Sequence, residues 1–230
     1  MRHAVGVSDV SSLGKIDVQG ADAGEFLNRV YANTMATLAV GRVRYGLMLR
    51  EDGFAMDDGT VARLAERHYL MTTTTANAVG VFRHLEFCRQ CLWPELDVHL
   101  ISTTDQWAQF AIAGPRSREL LARVIGGGRD VSNEAFPFMA CGEVSVRGVA
   151  ARLFRISFSG ELAYELAVPA RFGDALFELL LESGEDLGAT PYGLEALNVL
   201  RIEKGHATVA ELDGRATAAS IGRASCRERV

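Results

Sequence analysis

Tyr45 to Gly59 reads YGLMLREDGFAMDDG and carries the pattern of a β-hairpin. Arg42 to Arg50 supplies β-branched, aromatic and aliphatic residues for one strand, and Glu51-Asp52-Gly53 is a turn signal. The return strand, Phe54-Ala55-Met56, runs into two adjacent acids, Asp57 and Asp58. Neighbouring side chains of a strand point to opposite faces, so only one of the pair can point inward. An acid on the inner face, among Leu47, Leu49, Phe54 and Met56, is poorly solvated and needs a partner or a ligand. Tyr45 stands near the far end of the opposing strand, where a phenol and a carboxylate can line one cavity. Spacing alone also allows a surface turn with solvated acids.

Outward from the hairpin, the composition is that of an ordinary globular chain. The 230 residues are 48% hydrophobic and 23% charged, enough to bury a core as one large or two small domains. A net charge of −5, without basic clusters interleaved with aromatics, argues against a nucleic-acid binder. No apolar run reaches spanning length and Met1-Arg2-His3-Ala4 leads into no signal-peptide core, so no membrane role and a cytoplasmic location are expected. Cys88 and Cys91 form a lone CxxC inside an apparent helix, which reads as packing, and no His/Cys set has metal-ligand spacing.

Val5–Val10 and Lys15–Val18 look like strands, and a helix with Phe26, Leu27, Val30 and Tyr31 follows Asp22. Val61–Leu64 and His68–Thr72 alternate like further strands. Thr73-Thr74-Thr75 offers N-caps for a helix to about Leu92, stopped by Trp93-Pro94. Val98–Ser102 and Trp107–Ala113 read as a strand pair, and Pro115 opens a helix with Leu120, Leu121 and Val124. Gly126-Gly127-Gly128 follows a helix and lacks the register of a phosphate loop, so it reads as a linker. Beyond it, strands at Glu143–Val146, Ala150–Ser157 and Ala163–Val168 precede helices at Phe172–Ser183 and Gly193–Lys204. The pattern predicts an α+β protein of two packed units, 1–125 and 126–220.

In the second unit Glu165 sits among Ala163, Tyr164, Leu166 and Val168. Two readings stand. It pairs with Arg152 or Arg155 across the sheet, or it accepts hydrogen bonds from a ligand with adjacent N–H donors. His206, after Lys204-Gly205, reads as a residue at a helix C-terminus.

Six segments carry a wider resemblance: VGVSDVSSLGKIDVQG, RYGLMLREDGFAMDDG, HYLMTTTTANA, NEAFPFM, RISFSGELAYE and PYGLEALNVLRIEKGH. Together they resemble the folate-binding aminomethyltransferases, the glycine-cleavage T-protein family. The four threonines and NEAFPFM are most similar to its branch in the C-terminal half of sarcosine oxidase alpha subunits. The resemblance implies the family's folate-binding fold, with its C-terminal β-rich domain missing here. It implies tetrahydrofolate as cofactor and capture of an oxidised N-methyl group as 5,10-methylene-tetrahydrofolate. Asp58 matches the acid that works beside the folate nitrogens, Tyr45 a tyrosine of the folate channel, and Glu165 the pterin-gripping glutamate; Thr74 and Tyr164 complete the expected cofactor contacts. Flavin and NAD are expected only on upstream or partner segments, and the beta, gamma and delta subunits of such an oxidase as partners. Leu197 stands where the T-protein has a ligand-contacting arginine, which counts against a stand-alone aminomethyltransferase, and Lys204-Gly205-His206 departs from the Lys-Gly-Cys of non-catalytic relatives. The last ten residues, IGRASCRERV (221–230), resemble the translation of a DNA-sequencing adapter and are expected to be foreign to the fold.

Overall fold

Strand β1 (Val5–Asp9) leads through the loop 10–13 to β2 (Gly14–Gln19), helix α1 (Ala23–Val30) and the hairpin β3 (Arg42–Leu49) and β4 (Ala55–Ala65). The computed structural model describes residues 1–212, so the tail at 221–230 lies outside the described residues. Next come β5 (His68–Thr73), α2 (Ala78–Phe87) with a π-helical turn at Cys88–Leu92, β6 (His99–Ser102), β7 (Trp107–Ala113) and α3 (Ser117–Val124). The chain continues with β8 (Cys141–Val146), β9 (Val149–Phe154), β10 (Ala163–Pro169), α4 (Gly173–Ser183), β11 (Ala189–Pro191), α5 (Leu194–Lys204) and α6 (Val209–Leu212).

The strands make two sheets, one of five in the order β3-β4-β5-β2-β6 and one of six in the order β11-β1-β7-β10-β9-β8. Alternation along each strand sends one set of side chains to helices and the other to the opposite sheet. On β2 and β5, Ile16, Val18, Tyr69 and Met71 pack under Phe26 and Leu27 of α1 and Val81 and Leu85 of α2. On the six-stranded sheet, Phe110, Ile112, Tyr164 and Leu166 pack under Leu120 and Leu121 of α3 and Leu176 and Leu180 of α4. The remaining faces meet each other, with Val43, Ala62 and Leu70 against Phe154 and Ala167. The layers are therefore helix, sheet, sheet, helix, and the two sheets enclose a shared interior.

Four expectations change. The return strand does not stop at the acids; β4 runs eleven residues, taking in Val61–Leu64. Gly59 permits this, since a Cβ there would lie 2.0 Å from Thr72 O. Val98–Ser102 and Trp107–Ala113 are not a pair, because β6 joins β2 while β7 lies between β1 and β10 in the other sheet. The threonines do not cap α2; Thr73 ends β5, and the helix begins after Asn77. Gly126 is no boundary between the sheets, because β1 and β7, both before it, occupy the six-stranded sheet beside β10. Each sheet is instead reached by crossovers, at residues 10–13 and again at 103–106.

Candidate ligand cleft between the sheets

The register of β3 on β4 sets Met48 opposite Asp57, Leu47 opposite Asp58 and Tyr45 opposite Thr60. The two acids therefore part company. Asp57 turns to the helix side and is fully buried. It accepts from Thr74 N at 3.0 Å, Thr74 Oγ1 at 2.7 Å and Asn77 Nδ2 at 3.1 Å. Burial lifts its carboxyl above the ordinary carboxylate range, and these bonds pull it back. Asp58 turns to the inter-sheet side, half-buried, and the Tyr45 hydroxyl donates to its Oδ2 at 2.9 Å. Its carboxyl is also raised, first by burial and further by the charge of Asp57, against the pull of the Tyr45 bond. Tyr45 is 45% exposed, so this end of the inter-sheet face meets solvent.

A polar row runs inward from there. Thr60 and Thr72 join through their hydroxyls at 3.0 Å, and Thr72 lies opposite Lys15 on β2. Facing this row from the six-stranded sheet is Glu165 on β10, 9% exposed. The side-chain amide of Gln109 donates to its Oε2. Its Oε1 receives no hydrogen bond among the described residues. Neither arginine of the pairing alternative reaches it. Arg152 stacks over Trp107 at 4.1 Å beside Asp17, and Arg155 donates to Phe136 O and Asn133 Oδ1, both at 2.7 Å. Burial pushes the Glu165 carboxyl up to about 6, with the Gln109 bond and the Lys15 charge opposing. Tyr192 lies close enough for that carboxylate to add to the burial that pushes its phenol up to about 12.

Two expected contacts do not fit. Tyr164 is fully buried in the core beneath α3, where its hydroxyl accepts from Arg118 Nε at 2.9 Å and donates to Val131 O. It neighbours Glu165 in sequence, so alternation turns it to the opposite face. Thr74 has its hydroxyl taken up by Asp57 on the helix side. The site gains Gln109, Lys15 and Tyr192 instead. In sequence Lys15 sits on the polar face of the strand GKIDVQ, an ordinary sign of solvent; only the second sheet covering that face makes it significant.

The other candidates are structural. Cys88 is buried in the core and Cys91 is exposed, both free, and no cluster of three metal-ligating side chains occurs among the described residues. His206 follows Gly205, which closes α5 at φ 81°, and its Nδ1 lies 3.0 Å from Phe158 O. Among the described residues no helix is long and apolar enough to cross a membrane.

The family model described as the GCVT N-terminal domain matches residues 1–224. The chain belongs to this family. It is 59% identical over 224 residues to the sarcosine oxidase subunit alpha of Rhizobium meliloti (strain 1021), a match covering 96% of this chain and 22% of that protein. It is 34% identical over 204 residues to the aminomethyltransferase of Symbiobacterium thermophilum, covering 88% of this chain and 54% of that protein. Among solved structures, aminomethyltransferase T of the glycine cleavage system from Bartonella henselae superposes with a TM-score of 0.76 at 28% identity, covering 90% of this chain and 52% of that one. A chain of the heterotetrameric sarcosine oxidase from Corynebacterium sp. U-96 shares the fold at a TM-score of 0.62 and 15% identity, covering 84% of this chain and 90% of that one. The GCVT fold, α+β with two packed sheets, is thus the one expected from the sequence. The chain spans about a fifth of the length of the sarcosine oxidase alpha subunits it matches, and about half that of the aminomethyltransferases.

Proposed function

We propose that the inter-sheet cleft binds tetrahydrofolate and that the chain is the one-carbon transfer part of a sarcosine-oxidase-type enzyme. Its product is 5,10-methylene-tetrahydrofolate, made from the N-methyl group oxidised elsewhere in the assembly. The observation that carries this is Glu165, a buried carboxylate with no arginine partner and with Oε1 left without a hydrogen bond. Such an oxygen is free to accept from a ligand, and the amide-and-amine edge of a pterin supplies two donors side by side. The donor set therefore fits the cofactor. Tetrahydrofolate, when bound, supplies the nitrogens that take up a one-carbon unit.

The chain's own groups do the rest. Glu165 fixes the ring edge between the two sheets. Asp58, raised above the ordinary carboxylate range and steadied by Tyr45, takes the proton released as the new bond forms. Identity of 59% with a sarcosine oxidase alpha subunit over 96% of the chain supports this reading over a free-standing aminomethyltransferase. Leu197 in α5, in place of the T-protein's arginine, supports it too. The flavin and any NAD then belong to other segments or subunits, and the partners are the beta, gamma and delta subunits of such an oxidase.

Titrating the full chain with tetrahydrofolate, followed by tryptophan fluorescence, tests the reading. Saturable binding is expected, and a folded chain that binds nothing overturns it. Glu165→Gln replaces an accepting oxygen with a donor, and affinity should fall about 10–100-fold, as for a lost hydrogen bond to a charged group. Wild-type affinity should also fall as pH drops through about 6, where Glu165 takes up a proton. The same variant should make the ligand-free chain more stable. The folded carboxyl, at about 6, lies above its ordinary 4.5, so wild-type stability falls as pH rises between those values and stays lower above them. Removing the charge returns up to about 2 kcal/mol at pH 7, readable by urea unfolding.

A further inference from the structure

Lys15 on β2 is 1% exposed, although lysine ammonium groups ordinarily stay in water. Its Nζ donates to the carbonyls of Ser11 and Leu13, both at 2.9 Å, so the first crossover loop wraps the charge. Its third N–H has no partner among the described residues. The loop is fastened to the far sheet at Gln109. Val10 N donates to Gln109 O at 2.9 Å, Ser11 Oγ donates to the same carbonyl at 3.4 Å, and Gln109 N donates to Ser11 Oγ at 2.9 Å. The Gln109 side chain then donates to Glu165. A buried cation and a buried carboxylate thus stand at the ends of one path, Lys15–Ser11–Gln109–Glu165, which ties the two sheets across the cleft.

Two carbonyls solvate an ammonium without neutralising it, and one amide does the same for a carboxylate. Each buried charge therefore offsets part of what burial costs the other. We propose that Lys15 is a positioning residue for the ligand, the counter-cation that keeps Glu165 ionised and able to accept from a neutral edge with two adjacent N–H donors. This rests on reading Glu165 as the ligand-holding carboxylate. The surrounding charges agree. Burial lowers the Lys15 ammonium, and Glu165 heads the charges that raise it, ahead of Asp9 and Asp105. Tyr192 faces Glu165 as a neutral phenol, and Arg152, on the next strand, is occupied by Trp107 and Asp17.

The test is a pH titration of the ligand-free chain carrying ¹³C-labelled glutamate, reading Glu165 in wild type, Lys15→Met and Ser11→Ala. In Lys15→Met the Glu165 midpoint is expected to rise from about 6 to about 7, the size of one lost opposite charge. Ser11→Ala cuts the path without removing a charge and should leave the midpoint unchanged. Tetrahydrofolate affinity of Lys15→Met should then be about fivefold below wild type at pH 6, following the ionised fraction, and converge with it above about pH 8. An unchanged midpoint in a folded Lys15→Met overturns the proposal, as does an affinity loss equal at every pH, which a packing role would give. Should Lys15→Met not fold, the wild-type chain decides. The Lys15 ¹⁵Nζ resonance must step at the Glu165 midpoint, and its absence overturns the pairing. A shifted midpoint with no folate binding at any pH would uphold the coupling of Lys15 to Glu165 and sink the folate reading.

Discussion

Replacing Asp58 with alanine is expected to slow formation of 5,10-methylene-tetrahydrofolate by ~10²–10⁴-fold above the uncatalysed background, the usual yield of a positioned proton acceptor. Folding should barely change. Asp58 is half-buried with Tyr45 as its hydrogen-bond partner, and burial already disfavours its charged form, so little stability is lost with it. The pH dependence follows from the same shift. An acceptor must be ionised, so the rate should rise with pH through a midpoint above the ordinary 3.8 and then level. Tyr45→Phe removes the bond that holds the carboxyl down, so that midpoint should climb further. The loss of orientation should cost about tenfold, less than loss of the carboxylate itself. Rates would be taken at saturating tetrahydrofolate with circular dichroism as the folding control. An Asp58→Ala chain as fast as wild type would remove the residue from the chemistry and leave Tyr45 as part of a binding surface only.

The hairpin shows how far sequence reasoning reaches and where it stops. Alternation required Asp57 and Asp58 to separate, and it brought Tyr45 onto the face of one of them. It did not say that both faces would be covered, one by α2 and the other by a second sheet. That depends on contacts between segments far apart in the chain. The same gap explains Lys15-Ile16-Asp17-Val18-Gln19. As a sequence it is an amphipathic strand with a wet face, yet Lys15 and Asp17 are buried because the six-stranded sheet lies over them. Thr73 to Thr75 carry both cap chemistry and β-branched shape, and the strand won at Thr73, whose side chain is buried. β6 and β7 are strong strands with only residues 103–106 between them. No local feature marks that short link as a crossing between sheets, so the commoner expectation of a paired neighbour failed. Glu165 was recognisable as a polar residue in an apolar strand. Its partner Gln109 was not, because nothing in Trp107–Ala113 tells which sheet the strand will join.

Asp57→Ala is expected to lower the unfolding free energy by about 2–4 kcal/mol, measured by urea denaturation, with Asp57→Asn losing only about 1 kcal/mol. The carboxylate is fully buried and answers Thr74 N, Thr74 Oγ1 and Asn77 Nδ2 together, so alanine strands three donors on the helix side of the hairpin. Asparagine keeps one accepting oxygen and the volume, but turns a second position into a donor facing donors. Burial raises the Asp57 carboxyl above its unfolded value, so wild-type stability falls as pH rises just above 3.8. The deficit of Asp57→Asn should therefore be greatest in acid and shrink toward neutrality. The lesion should also be local. Asp57 fastens β4 to the end of β5 and the start of α2, so amide exchange should quicken from Thr74 to Val81 while β10, in the other sheet, keeps its protection. An alanine variant within about 0.5 kcal/mol of wild type would mean that those donors find other partners. Fast exchange in β10 as well would mean that the two sheets unfold as one unit, and that the hairpin holds the whole cleft rather than its own edge.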